Sequence, residues 1–232
     1  MRSRYGGTSV TGDPMIPASL SISHEPRLPS RSRAVILMAV LGAVTGLASS
    51  LPSPLPDIRL SEPDILLNAR SVPLHAGLAF GALLAGAMWT WVSRDVAKCL
   101  LTFALALMGW LAAINTANDV IAAVQTSDLF GKAEGAKANR EMLGWLAGGV
   151  IGGAVGAGLA AFAAGIPAIA VRRIEAWLPI VIVGGVLGLL LYPAARLDTI
   201  ALLFVPWQTG IAAAIAYAIT APARSADLEL AS

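Results

Sequence analysis

The sequence predicts an all-α integral membrane protein, a polytopic bundle of about six transmembrane helices. Three observations carry this. First, of 232 residues 56% are hydrophobic and 13% charged, whereas soluble domains hold about 25% charged and 45–50% apolar residues. A mean hydropathy of +0.73 points the same way. Second, six continuous apolar runs occupy approximately 34–51, 73–93, 96–115, 143–171, 176–195 and 198–220. Each is near or above the roughly 17–25 residues a helix needs to cross the hydrocarbon. Third, the runs do not alternate apolar and polar in segments of about ten residues, as a membrane barrel requires. Helices and closed barrels are the only spanning solutions.

Taken in order, residues 1–33 are rich in Gly, Ser and Pro, carry five arginines and show no periodicity. They read as a disordered cytoplasmic tail, with Met15 as an alternative start. The first run, RSRAVILMAVLGAVTGLASS, has a basic flank, an apolar core and a small-residue end. That is the form of a retained helix, or of a signal peptide cleaved near Ala48, which would leave five spans. The long tail before it favours the retained helix. Residues 52–72 contain four prolines and then PDILLNAR, a candidate helix lying on the membrane surface. SRDVAK joins the second and third runs, RRIE the fourth and fifth, and a turn around Arg196 and Asp198 the fifth and sixth. Links this short force antiparallel neighbours. Residues 116–142 form a longer link with Gly131 and Gly135, whose end, AKANREMLGW, leads helically into the fourth run. That run would reach roughly 43 Å as one helix, so it must tilt, project or break, with Gly165 and Pro167 as the expected bend. The transmembrane domain is thus 34–220, and 221–232 is a short C-terminal tail.

Ten of the 16 basic residues fall on the side of the two termini. The positive-inside rule then puts both termini in the cytoplasm and the two longer links outside. Arginine-, alanine- and glycine-rich composition suggests a bacterial inner (cell) membrane. The fourth span should sit at the centre of the bundle. GWLAGGVIGGAVGAGLAAFAAG carries Gly144, Gly148, Gly152 and Gly156 in steps of four, with Gly149 and Gly153 beside them. Gly77 and Gly81 echo the pattern in the second span, and Gly184 and Gly188 in the fifth. Small-xxx-small ladders let helix backbones approach closely in lipid, where apolar burial supplies no drive. They serve either packing within one chain or an interface with a second copy or a partner membrane subunit.

The sixth span holds FVPWQTG. Pro206 cannot donate to the Leu202 carbonyl and should kink the helix. Gln208 brings an amide to the bilayer interior, where it must bond a neighbouring helix, a freed carbonyl, water or a solute. The bare backbones near Gly152, Gly156, Gly184 and Gly185 are the expected facing partners. Pro206, Trp207, Gln208 and Thr209 are therefore candidate solute contacts, or a structural lock. A second polar group is expected at the outer surface: Asn115, Asn118 and Asp119 share one helical face, and His75 opens the second span at the same level. Trp89, Trp91, Trp110, Trp145 and Trp177 fall near run ends, as interfacial belts do, leaving Trp207 alone deep. Arg94, Lys98, Arg172 and Arg173 read as solvated anchors.

Several classes are excluded. No Asp, Glu, Lys or Arg falls near the midplane for ion coupling. Two histidines and one cysteine, Cys99, exclude a histidine-rich zinc site and an intrachain disulfide. There is no nucleotide-binding loop, no serine–histidine pair within a span and no acidic cluster for a metal pyrophosphate. The expectation is a non-enzymatic protein with no cofactor, no metal and no nucleic-acid partner. It is a subunit or scaffold associating through glycine-rich faces; the alternative is a small permease or channel-like transporter of a neutral or weakly polar solute, using the kinked sixth helix.

Overall fold

A computed structural model describes residues 28–52, 74–127 and 134–221, and every regular element among them is helical. Six of these helical spans are long and apolar enough to cross a membrane. The chain is an all-α multi-pass membrane protein. The expected surface helix in 52–72, most of the N-terminal tail and residues 222–232 lie outside the described residues.

Helix α1 spans Arg31–Ser50, so the helix begins inside the segment expected to be disordered. It stops where Leu51 turns extended (φ −78°, ψ 153°), as a residue before proline must. Helix α2 spans Leu74–Trp91 and α3 spans Val96–Thr126. Asp95 caps α3: its carboxylate accepts from the Lys98 backbone N–H at 3.2 Å, satisfying an otherwise orphaned donor. That hydrogen bond holds the Asp95 carboxyl below its ordinary pKa. Helix α4 spans Glu134–Gly165. A single 3₁₀ turn, Ile169–Arg172, leads to α5, Ile174–Gly188. Helix α6 is a short segment, Leu191–Arg196, and α7 spans Ala201–Ile219. Asp198, with φ 49°, makes the tight turn between the last two.

Three boundaries differ from expectation. The third helix does not stop near residue 115 but runs on to Thr126. The fourth helix ends at Gly165, before Ile166 and Pro167, instead of continuing to 171. The residue before a proline disfavours α geometry, so the expected bend is a helix end. The fifth run splits at Leu189 and Leu190 into α5 and α6.

The largest interhelical contacts join α3 with α4, α1 with α7, and α4 with α5. The centre expected for α4 alone is shared with α7: half of each span is buried, against 22% for the span formed by α5 and α6. Helices α1 and α7 run antiparallel. The Arg31 guanidinium donates to the Thr220 carbonyl at 3.2 Å and stacks over the Tyr217 ring. Toward the other end of α1, Gly42 and Gly46 press against the α7 backbone. A β-carbon at Gly42 would stand 2.6 Å from the Gln208 carbonyl oxygen. The outward face of α1 carries Ile36, Val40, Val44 and Leu47, all exposed. An apolar outer stripe with polar Gln208 and Thr102 fully buried is the arrangement a lipid solvent selects.

At the end of the bundle nearest Arg172, side chains tie α4 to its neighbours. Thr102 on α3 donates to the Ala163 carbonyl at 3.1 Å, and the Trp177 indole on α5 to the Gly158 carbonyl at 3.2 Å. Arg172 is more than a solvated anchor. Its Nε donates to the Gly165 carbonyl at 2.5 Å and its Nη2 to the Ile166 carbonyl at 2.9 Å, completing a helix C-terminus that leaves carbonyls without intrahelical partners. Cys99 is buried in α3.

Candidate functional site

The glycine ladder of α4 has two sides, and both are filled by this chain. On one side Gly144, Gly148 and Gly152 meet α3. A β-carbon at Gly148 would stand 2.7 Å from the Ala117 carbonyl oxygen, and one at Gly152 at 2.7 Å from that of Ala113. On the other side Gly149 faces Gly188 and Gly153 faces Gly184, so closely that a β-carbon on any of them would overlap the opposing residue. Gly156 lies under the Trp207 ring. On α2, Gly77 receives the Trp110 ring and Gly81 the Phe103 side chain. The close approach that lipid packing requires is therefore spent inside the bundle.

Where α3, α4, α7 and the junction of α5 with α6 converge, the small residues leave a cavity of about 230 Å³. It lies in the half of the bundle that holds the C-terminal end of α3 and the N-terminal ends of α4 and α7, the side of the longer links. Gly149, Gly152, Gly153 and Gly188 lend backbone to its lining, and Ile114, Leu191, Ile200 and Leu203 lend branched aliphatic side chains. Its α3–α7 wall is aromatic: Trp110, Phe204 and Trp207, with Trp145 of α4 completing it. Trp110 and Phe204 pack edge to face with centroids 4.9 Å apart, and Trp110 and Trp207 at 6.4 Å. Phe80 of α2 supports the cluster from behind, 5.7 Å from Trp207. Among the described residues no ionisable side chain lines the space, and Asn118, which is exposed, is the one Asn, Gln, Ser or Thr that does. The indole nitrogens of Trp110 and Trp207 are buried and without a hydrogen-bond partner, shut off from the cavity surface.

Of the residues singled out in FVPWQTG, the structure brings only Trp207 to this cavity. Gln208 turns the other way. Its amide nitrogen donates to Ser49 Oγ on α1 at 2.9 Å, and Ser49 Oγ donates onward to the Thr45 carbonyl at 2.7 Å. The glycine backbones of α4 and α5 are not its partners. Gln208 Oε1 is buried with no partner. Thr209 bonds back to the Val205 carbonyl of its own helix at 2.6 Å, and α7 continues as one helix through Pro206.

The polar group expected at the outer surface is dispersed. Asn115 is buried, Asn118 reaches the cavity, and Asp119 is exposed. His75 lies at the start of α2 with both ring nitrogens buried and without a hydrogen-bond partner among the described residues, so it makes no pair with Asp119. Trp110 is no belt residue. It is 6% exposed and midway along α3, because that helix is eleven residues longer than its apolar run. Among the described residues no group of His, Cys, Asp or Glu is placed to hold a metal ion. Phe204, Ala113 and Ile114 also line the cavity, and sequence reasoning passed over them. Their only signal is apolar character, which every span shares.

Comparison with protein-family models, with curated proteins and with solved structures finds no match. The fold and the cavity define a polytopic membrane protein, and its function rests on the site itself.

Proposed function

We propose that the chain is a non-enzymatic membrane protein that binds a small, uncharged, mainly apolar molecule in the cavity between α3, α4, α6 and α7. The observation that carries this is the cavity's combination of size and wall. Its volume of about 230 Å³ exceeds the roughly 150 Å³ of an apolar cavity that admits benzene. A wall without charges gives an ion or a strongly polar solute nothing in exchange for its hydration. An apolar molecule, by contrast, partitions into lipid and reaches such a site without a pore. A ligand-binding subunit therefore fits better than a permease, whose expected polar residue, Gln208, is tied to Ser49. Association through the glycine faces has less support than the sequence suggested, since those faces are occupied within the chain. The bacterial inner membrane, with both termini cytoplasmic, remains part of this reading on the strength of composition and charge count.

The test is uptake of labelled one- and two-ring uncharged compounds by nanodiscs carrying the protein, corrected by empty nanodiscs for partition into lipid. Saturable excess uptake is expected, and Ile114→Trp, which places an indole in the cavity wall, should abolish it while the melting temperature is kept. Equal uptake by loaded and empty discs would end this reading.

A further inference from the structure

The end of the bundle opposite the cavity holds another recess, in basic surroundings. Among the described residues this end carries Arg31, Arg33, Arg94, Lys98, Arg172 and Arg173 against Asp95 and Glu175. The recess has a volume of about 550 Å³ and lies between the C-terminal end of α4 and the start of α5. Phe162, Ile166, Ile174 and Trp177 form its sides, and among the described residues Arg172 is the one charged group that lines it. Phe162 is 59% and Ile174 65% exposed, so the recess opens outward from the bundle, where lipid stands.

Its shape is set in advance. The Trp177 indole donates to the Gly158 carbonyl at 3.2 Å, and its ring lies over Gly158, where a β-carbon would stand 3.2 Å from Cζ2. The stem of Arg172 lies on Gly165, where a β-carbon would stand 3.2 Å from its Cγ. The guanidinium is held by the Gly165 and Ile166 carbonyls at 2.5 and 2.9 Å, yet the residue is exposed. A guanidinium carries five N–H donors and no acceptor. The two carbonyl bonds fix the position of the fork and leave the rest of it to an outside acceptor.

A fixed cation at the rim of an apolar recess calls for a molecule with an anionic oxygen and an apolar body. Arginine pairs with phosphate through parallel N–H···O bonds, and basic pockets beside transmembrane helices hold anionic lipid headgroups. We infer that this recess is a docking site for an anionic phospholipid, its phosphate on Arg172 and an acyl chain along Phe162, Ile174 and Trp177. A free phosphate would leave the apolar sides unfilled. A zwitterionic lipid would set its own cation beside a basic end. The site shares no lining residue with the cavity of the proposed function and does not rest on that reading.

Native mass spectrometry of the full chain in detergent reads the lipid adducts. Phosphatidylglycerol and phosphatidylcholine with identical acyl chains are added at matched concentrations. Phosphatidylglycerol is expected to bind at least about fivefold tighter, the attraction of one basic residue for an anionic surface. Arg172→Gln should bring the two lipids within about twofold. That change also removes support from the end of α4, so a second variant leaves the carbonyl bonds in place. Ile174→Glu puts a carboxylate at the rim, on an exposed position in the first turn of α5, where an acidic residue suits the helix. It should lose the preference equally while its melting temperature is kept. Equal binding of both lipids by the wild type overturns the inference, and so does a preference that survives both substitutions. Glycerol 3-phosphate, a headgroup without chains, should not compete; displacement by it would make this a site for soluble phosphate and overturn the lipid assignment. A dimer that Ile174→Glu dissociates, with no lipid preference, would seat a second copy in the recess and overturn it too.

Discussion

Gln208 on α7 and Ser49 on α1 are joined by a hydrogen bond of 2.9 Å across 159 residues of sequence, both of them buried. This contact and the Gly42 and Gly46 contacts beside it fasten the first helix to the last. Ser49→Ala leaves the Gln208 amide with no partner, which should cost about 1–2 kcal/mol. Removing both polar groups in Ser49→Ala with Gln208→Met should cost less than the single change, because no orphan remains and Gln208 Oε1, already unpartnered, is lost with it. Reversible unfolding of the two variants and the wild type in one detergent checks the order. A double variant weaker than Ser49→Ala would contradict it.

The glycines of α2, α4 and α5 should divide sharply by position. Gly149→Ala and Gly188→Ala place a β-carbon on the opposing backbone, and overpacking of this kind costs about 1–3 kcal/mol. Gly86→Ala meets nothing within 4 Å and should leave the melting temperature unchanged or raised. Native mass spectrometry of the same variants reads the oligomeric state. A well-folded Gly152→Leu protein that has lost an oligomer would show the ladder to be an intermolecular surface after all.

Removing the Arg172 guanidinium uncovers two carbonyls at the end of α4. Arg172→Ala is expected to lower stability by about 1 kcal/mol, the discounted value of a charged donor at a partly wet site. Arg172→Lys should restore less than half, because a single ammonium cannot copy two donors set in a planar fork. Thermal melting of the three proteins decides between this and an anchor that acts by charge alone, for which lysine would suffice.

Orientation is open to chemistry. With both termini cytoplasmic, a cysteine placed at Ser93 in a Cys99→Ala background should resist an impermeant maleimide in intact cells. One placed at Asp198 should react. The reverse pattern would invert the whole topology.

The spans were legible because hydropathy is local: each run declares itself without its neighbours. The irregularity expected at Gly165 and Pro167 was signalled by single residues acting on their own backbone, although it is a helix end and not a bend; the cap at Asp95 was passed over. The far end of α3 was not. Asn115, Asn118 and Asp119 lower hydropathy but not helicity, so a helix that outlasts its apolar run looked like a link, and Trp110 was misplaced to a boundary in consequence. Gln208 announced that it needed a partner, and nothing near it in sequence could say that the partner is Ser49. Pairing α1 with α7 is a property of the whole topology. The cavity was hidden for a related reason. It is made of glycine backbone on α4 and α5 and of side chains on α3, α6 and α7, and no window along the chain contains them together.

A face that repeats every four residues is a ruler with equal divisions. Moving α4 along its axis by one division, about 6 Å, would bring Gly148 to where Gly152 stands and leave much of the contact with α3 unchanged. The glycines therefore hold α4 close without saying where along its length it belongs. That information resides in bonds that do not repeat: Thr102 to the Ala163 carbonyl, and Trp177 to the Gly158 carbonyl. Two donors near one end of the bundle supply the zero mark for a helix of 32 residues.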